Sequence, residues 1–343
     1  IPAQIALIKT LDEKGYAYTI KDGVYFDTSL FSRYGALGGI NLEGLKEGAR
    51  VEVNDQKRNA ADFALWKLSN TFGWESPWGK GFPGWHIECS AMARSLLGEQ
   101  LVIYSGGIEH IAIHHNNEIA QSEVATGKSP FARFWMHRAH IQIEGHKISK
   151  SAGETVYLDD VTKRNFHPLA LRYWFQTAHY RSPANFTWPA LSAALVAFLK
   201  LHQIAYEASG GAAKGHADWQ RKFRTCDNND LDTPAAIAIT WDMLKDKSLS
   251  AADRRATLLD FDQVLGLGLA APDEALQRVL AEARHGLTES DIPSDVRDLM
   301  TRREDARKAK DWAEADKVRD EIRAKGFEVK DSDSGPQLAR LRV

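Results

Sequence analysis

Three short segments hold the residues best suited to chemistry: Gly84-Trp85-His86-Ile87-Glu88-Cys89, His114-His115-Asn116-Asn117-Glu118 and Lys147-Ile148-Ser149-Lys150-Ser151. His114 and Glu118 are four apart, so on a helix they share a face and can reach one ion. Cys89 adds a thiolate. Zinc takes such sulfur, nitrogen and oxygen donors, usually four of them, which leaves a fourth place for substrate, water or another residue. Singly, each has an ordinary reading: His-x-x-x-Glu recurs on helix surfaces, and a lone cysteine usually packs as a small apolar residue. Together, beside Gly106-Gly107, they form a candidate metal centre. The lysine-rich segment combines ammonium and hydroxyl groups suited to neutralising phosphate charge as pyrophosphate departs; its alternative is a solvated basic turn. A soft-ligand metal beside a nucleotide site points to ATP-driven activation of a thiol-bearing substrate.

These residues need elements to position them. Ile5, Ile8 and Leu11 have helical spacing over 5–14, with Gly15 as a stop. Tyr16–Ile20 and Val24–Phe26 alternate around Lys21-Asp22-Gly23 and read as a hairpin. Leu101–Tyr104 runs into Gly106-Gly107 and then a helix carrying His114 and Glu118, the grammar of a parallel α/β sheet whose ligands sit at strand C-termini. A second strand, Ala139–Ile143, leads to the lysine segment. Helices are expected at 167–178, 188–206, 233–246 and 249–266, with a Gly/Ala linker at 209–213 and a connection at 271–292. The last helices, 294–309 and 311–325, form a charged hairpin. Trp312, Ala315, Val318 and Ile322 make its apolar stripe, Asp311 its cap and Gly326 its stop, before a short strand at Phe327-Glu328-Val329.

At 343 residues, two or three domains are expected. Hydrophobic content of 43% and charged content of 26% are ordinary for a globular protein. No run of about eighteen apolar residues marks a membrane span. The two cysteines, Cys89 and Cys226, cannot build a disulfide framework, which favours a reducing cytoplasm. A net charge of −2 neither demands nor excludes nucleic acid.

The longer motifs are specific. Gly84–Met92, the stretch from Gly106-Gly107-Ile108-Glu109-His110 through His114–Glu123, and Lys147–Ser151 resemble cysteinyl-tRNA synthetase, a class I aminoacyl-tRNA synthetase. The last resembles the class signature Lys-Met-Ser-Lys-Ser, with isoleucine in place of methionine. Lys57-Arg58-Asn59, Asp62–Lys67, His179-Tyr180-Arg181-Ser182, Asp232-Thr233-Pro234 and Arg307–Trp312 extend the likeness along the chain.

The resemblance implies an α/β fold: part of a Rossmann-type class I catalytic domain, then an α-helical bundle and a small C-terminal anticodon-binding region. The expected divisions are 1–62 in the connective insertion, 63–145 in the second half of the catalytic domain, 146–190 as lysine-loop and stem-contact region, 191–285 as helical bundle and 286–343 as anticodon-binding region. It implies ATP-dependent activation of L-cysteine to cysteinyl-adenylate and transfer to tRNA(Cys). In this reading Cys89, His114 and Glu118 bind one zinc that the substrate thiolate joins. Trp85 and Tyr104 line the cysteine pocket. Lys147 and Lys150 are catalytic, and with Ile148, Ser149, Ser151 and Glu109 they contact ATP, accompanied by Mg2+. The protein is expected to be monomeric and cytoplasmic, with no membrane association.

Two residues depart from the family pattern: Tyr104 stands where histidine is common, and Glu109 is one methylene longer than the usual aspartate. The chain opens at Ile1 without methionine, and the family's His-x-Gly-His motif and fourth zinc ligand, a cysteine, are not in it. The resemblance therefore implies an N-terminally truncated fragment that alone fails in cysteine-dependent pyrophosphate exchange. Two rivals remain: a cysteine:amino-sugar ligase of mycothiol synthesis and a non-catalytic tRNA-binding paralogue. His179-Tyr180-Arg181 is open between packing and contact with the tRNA acceptor, and His86, His115 and His137 between pocket lining and a structural role. Arg302, Arg303, Arg307, Lys308 and Lys310, interleaved with acids, read as a solvated face or, by the resemblance, as anticodon contacts. Cys226 reads as a thiol without a role.

Overall fold

The structure is a computed structural model that describes residues 1–40, 54–147, 155–207, 213–274, 276–277, 280, 291–332 and 335–340. It divides into two units, Ile1–His140 and Ile141–Val343.

In the first unit, helix α1 (Pro2–Glu13) buries Leu7, Ile8 and Leu11 and ends before Gly15, whose φ of +79° turns the chain as expected of a stop. The hairpin follows as β1 (Ala17–Ile20) and β2 (Gly23–Phe26), joined by β3 (Phe63–Leu68) and β4 (Gly81–Pro83) into one antiparallel sheet in the order β1-β2-β3-β4. Val24 faces Trp66, and Trp66 faces Pro83. The expected division at 62/63 therefore runs through this sheet rather than between units. Phe26 stacks on Phe63 at 5.1 Å, and both pack with Leu65 and Trp66 in a core shared with Ile87, Ala91, Ala120 and Val124. Those last four lie on α2 (Trp85–Leu97) and α3 (His114–Thr126), the helices that carry Cys89, His114 and Glu118.

A parallel pair, β5 (Leu101–Gly107) and β6 (Ala132–Arg138), flanks α3, which serves as its crossover. Parallel strands normally bury both faces, yet Val102, Ile103 and Phe134 are more than half exposed here. Lys14 donates from Nζ to the carbonyls of Val124 and Ala125 at 2.7 and 2.9 Å, neutralising the C-terminal end of α3.

In the second unit, β7 (Ile141–Ile143) pairs antiparallel with β8 (His146–Lys147) and parallel with β9 (Ala184–Phe186). The strand expected over 139–143 is present but begins two residues later: β6 ends at Arg138 and β7 runs Ile141–Ile143. Helices α4 (Leu158–Lys163), α5 (Pro168–Gln176), α6 (Trp188–Glu207), α7 (Ala217–Asp227), α8 (Thr233–Lys245) and α9 (Ala251–Leu265) follow. Asp232 and Ser250 cap α8 and α9 by accepting from the Ala235 and Asp253 amides. Helix α6 is long and apolar enough to cross a membrane by length and composition. Its Leu191, Leu195, Phe198, Leu199 and Leu201 are nevertheless buried in the core that includes Met243 and the Phe223–Phe261 stack. Residues 209–212 of the expected linker and most of the latter half of 271–292 fall outside the described residues.

His179-Tyr180-Arg181 contacts Asp230 within the chain. Arg181 Nε and Tyr180 Oη donate to the Asp230 carboxylate at 2.5 and 2.6 Å. Arg181 and Tyr180 hold that carboxyl down at about 2. The contact braces a turn in which Asp230 and Leu231 both adopt positive φ.

Helices α10 (Ser294–Lys308) and α11 (Trp312–Ala324) form the final hairpin, with Val296, Val318, Ile322 and Phe327 at its core. Asp311 caps α11 by accepting from the Glu314 amide. Trp312 does not join the stripe: at the first helical position it stays 60% exposed. The short final strand is longer than expected, a hairpin of β10 (Phe327–Ser332) and β11 (Gly335–Arg340).

One backbone contact sets where α2 begins. Gly84 donates to the Leu65 carbonyl at 2.9 Å, and a Cβ on Gly84 would overlap the Ala64 carbonyl oxygen. Gly84→Ala should therefore push α2 off β3 and cost about 1–3 kcal/mol, the usual range for overpacking, read as a lowered denaturant midpoint.

Candidate metal centre

The side chains predicted for metal binding converge. One donor atom each from Cys89, His114 and Glu118 lie within 4.8 Å of one another. The local reason is helical: His114 and Glu118 fall one turn apart on α3, and Cys89 lies in the second turn of α2, packed beside it. Ser90 Oγ donates to Gln121 Oε1 at 2.6 Å and fixes the two helices at that level, both residues being buried. Asn116 anchors the start of α3 by donating to the Ile111 and Leu37 carbonyls, and Tyr34 bonds Asn117. The sequence motif contained all four of these residues, but nothing in their spacing distinguished braces from bystanders.

Glu118 is fully buried. Its Oε1 accepts from Tyr104 Oη at 3.0 Å and lies 2.9 Å from His114 Nε2, whereas its Oε2 has no partner. A buried carboxylate oxygen without a partner is costly, and the adjacent thiol deepens the cost. Burial, then the Glu118 carboxylate, push the Cys89 thiol up to about 11. Sulfur, imidazole and carboxylate donors crowded around an orphaned acceptor fit a zinc ion. The His114 ring presents Nε2 to this cluster and shares a 2.9 Å hydrogen bond between its Nδ1 and His86 Nδ1, the arrangement by which a ligand imidazole is oriented. Burial and the neighbouring His114 and His110 rings press His86 down to about 3, so it is neutral at physiological pH.

His86 therefore touches the centre, while His115 and His137 form a second pair, bonded at 2.7 Å between Nδ1 and Nε2. Burial and the His137 ring hold His115 at about 3. Trp85 is 59% exposed and its ring stands 4.9 Å from that of His114, at the rim of the centre. His110, which the motif contains but to which no role was given, joins these rings at 4.9 Å from His114. Tyr104 does not stand clear of the donors as a simple pocket wall; its hydroxyl is bonded to one of them. Glu109 lies outside the cluster, with Oε1 3.8 Å from His110 Nε2 and Oε2 3.6 Å from His140 Nε2. Lys147 ends β8 in the second unit, and Ile148, Ser149, Lys150 and Ser151 lie outside the described residues.

Because the folded chain favours the protonated Cys89 thiol, this group's contribution to stability is present below the ordinary cysteine pKa and is lost as pH rises through about 11. In a metal-free Cys226→Ser background, alkylation of Cys89 should reach half its plateau rate near pH 11. Glu118→Gln should move that midpoint down; an unmoved midpoint would show that the two groups do not interact.

The catalytic-domain model of the class I tRNA synthetases (C) matches residues 1–196. The cysteinyl-tRNA ligase anticodon-binding domain matches residues 289–337. Cysteine–tRNA ligase 1 of Burkholderia lata is 43% identical over 344 residues, covering 98% of this chain and 70% of the relative. The cysteine–tRNA ligase of Chlorobium chlorochromatii is 39% identical, covering 98% and 72%. That of Caldicellulosiruptor saccharolyticus is 37% identical, covering 100% and 75%. With the donor triad seated on adjoining helices and both domain models matched in order, the chain belongs to the cysteine–tRNA ligase family of class I aminoacyl-tRNA synthetases.

Proposed function

We propose that the chain serves ATP-dependent activation of L-cysteine to cysteinyl-adenylate and its transfer to tRNA(Cys). The observation that carries this reading is the convergence of Cys89, His114 and Glu118 around an unpartnered carboxylate oxygen. Zinc held there supplies a soft Lewis acid that takes a thiolate far more readily than a hydroxyl. The chain's own groups do the rest. Tyr104 orients the Glu118 carboxylate through its hydroxyl, His86 orients the His114 ring, and Trp85 walls the cysteine pocket. Lys147 and Lys150 neutralise phosphate charge, with Ile148, Ser149 and Ser151 completing that contact to ATP and Mg2+. The match at 289–337 favours a tRNA substrate over the amino sugar of the mycothiol ligase, and the assembled triad favours an active centre over a non-catalytic paralogue. We infer a monomeric, cytoplasmic enzyme.

Selectivity tests the reading. Cobalt-loaded chain should show a thiolate charge-transfer band that cysteine intensifies and serine leaves unchanged, with discrimination on the order of 10⁴-fold. Cys89→Ser should abolish the band, and equal responses to the two amino acids would defeat the proposal. Tyr104→Phe should weaken metal affinity about tenfold or more, the usual effect of removing a group that orients a ligand, as measured by competition with a chelator. Binding to tRNA(Cys) should fall steeply between low and moderate salt, because arginines and lysines of α10 and α11 meet phosphate; salt-independent binding would exclude that face.

A further inference from the structure

The loop Ser69–Lys80 between β3 and β4 is built, not loose. Trp74 and Gly81 exchange backbone hydrogen bonds at 2.7 and 3.0 Å. Gly73 has a φ of +113°, and a Cβ there would overlap the Gly81 carbonyl. Ser76 Oγ donates to the Gly79 carbonyl at 2.6 Å, and Trp66 Nε1 reaches the same oxygen at 3.3 Å. Trp78 tucks back toward the core, 6.4 Å from the Trp66 ring. The loop nevertheless holds two large aromatic side chains out in water: Phe72 is 57% and Trp74 52% exposed. Phe72 stacks face to face on Phe82 at 4.8 Å, and Lys80 is an exposed cation in the same loop.

β4 continues directly through Pro83 and Gly84 into Trp85, itself 59% exposed and in ring contact with His114. Flat rings held on a fixed backbone suit stacked bases, as on platforms for single-stranded nucleic acid. A tRNA substrate must bring its single-stranded 3′ end to the centre where β4 delivers the chain. We propose, resting on the function proposed above, that Phe72, Phe82 and Trp74 form a stacking platform, assisted by Lys80, for the single-stranded 3′ end of the tRNA.

The test compares binding of two tRNA(Cys) transcripts, one intact and one trimmed of its single-stranded 3′ nucleotides, to the wild-type chain and to a Phe72→Ala/Trp74→Ala variant. Trimming should weaken wild-type binding about tenfold, the scale of one or two lost base stacks, and should have little further effect in the variant, because both changes remove the same contact. Phe72→Tyr/Trp74→Phe, which keeps the rings, should behave as wild type and controls for folding, with thermal midpoints measured alongside. Equal losses on trimming in wild type and variant, or no loss in wild type, would overturn the platform while leaving tRNA binding intact. If neither transcript binds at all, the tRNA reading itself falls, and the platform with it.

Discussion

The feature on which the rest of this structure turns is the placement of a fully buried carboxylate, Glu118, with one oxygen bonded to Tyr104 and the other unpartnered beside a thiol. Such a group is expensive in a protein interior, and the chain invests much of its first unit in holding it. Lys14 neutralises the far end of α3, Asn116 and Asn117 pin its beginning, and Gln121 ties it to Ser90 one residue beyond Cys89. The apolar side of the same two helices, Ile87, Ala91, Ala120 and Val124, packs on the β2–β3 aromatic core. Donor positions and core positions alternate on one pair of helices, so the packing that stabilises the unit also sets the spacing of the ligands.

Electrostatics reinforce this division of labour. His86 and His115 are pushed down by burial and by neighbouring imidazole rings, so both stay neutral as lone-pair and N–H partners. A cationic ring there would compete with a bound metal. The thiol moves in the opposite direction, because burial and an adjacent carboxylate both oppose thiolate formation. The neutral rings leave the Glu118 carboxylate without a cationic partner, and the thiol keeps its proton in response; a divalent cation would supply the missing positive charge.

The second unit shows a different economy. Its helices are held by apolar faces and by caps, of which the sequence reading named Asp311: Asp232, Ser250 and Asp311 each precede a helix and each accepts an amide in its first turn. The Arg181–Asp230 contact is the exception. It joins residues 49 apart in sequence and sustains two consecutive left-handed residues, and no local pattern foretells it.

What the sequence determined by itself is what depends on short-range periodicity and on residue chemistry. The first helix with its Gly15 stop, the hairpin around Asp22-Gly23, the strand–glycine–helix passage through Gly106-Gly107 and the terminal helical hairpin are all local patterns. The pairing of His114 with Glu118 follows from 3.6 residues per turn, and Cys89, His114 and Glu118 were candidate ligands on chemistry alone. Only tertiary structure decided what depends on long-range approach. The sheet that carries β3 and β4 crosses the expected boundary at residue 62 because β2 bonds to a strand about forty residues away. Tyr104 became a partner of Glu118, and His86 of His114, because α2, β5 and α3 pack at one level. Trp312 left its stripe because the first position of a helix can project beyond the core. Periodicity assigns a residue to a face, but the neighbouring element decides what that face meets.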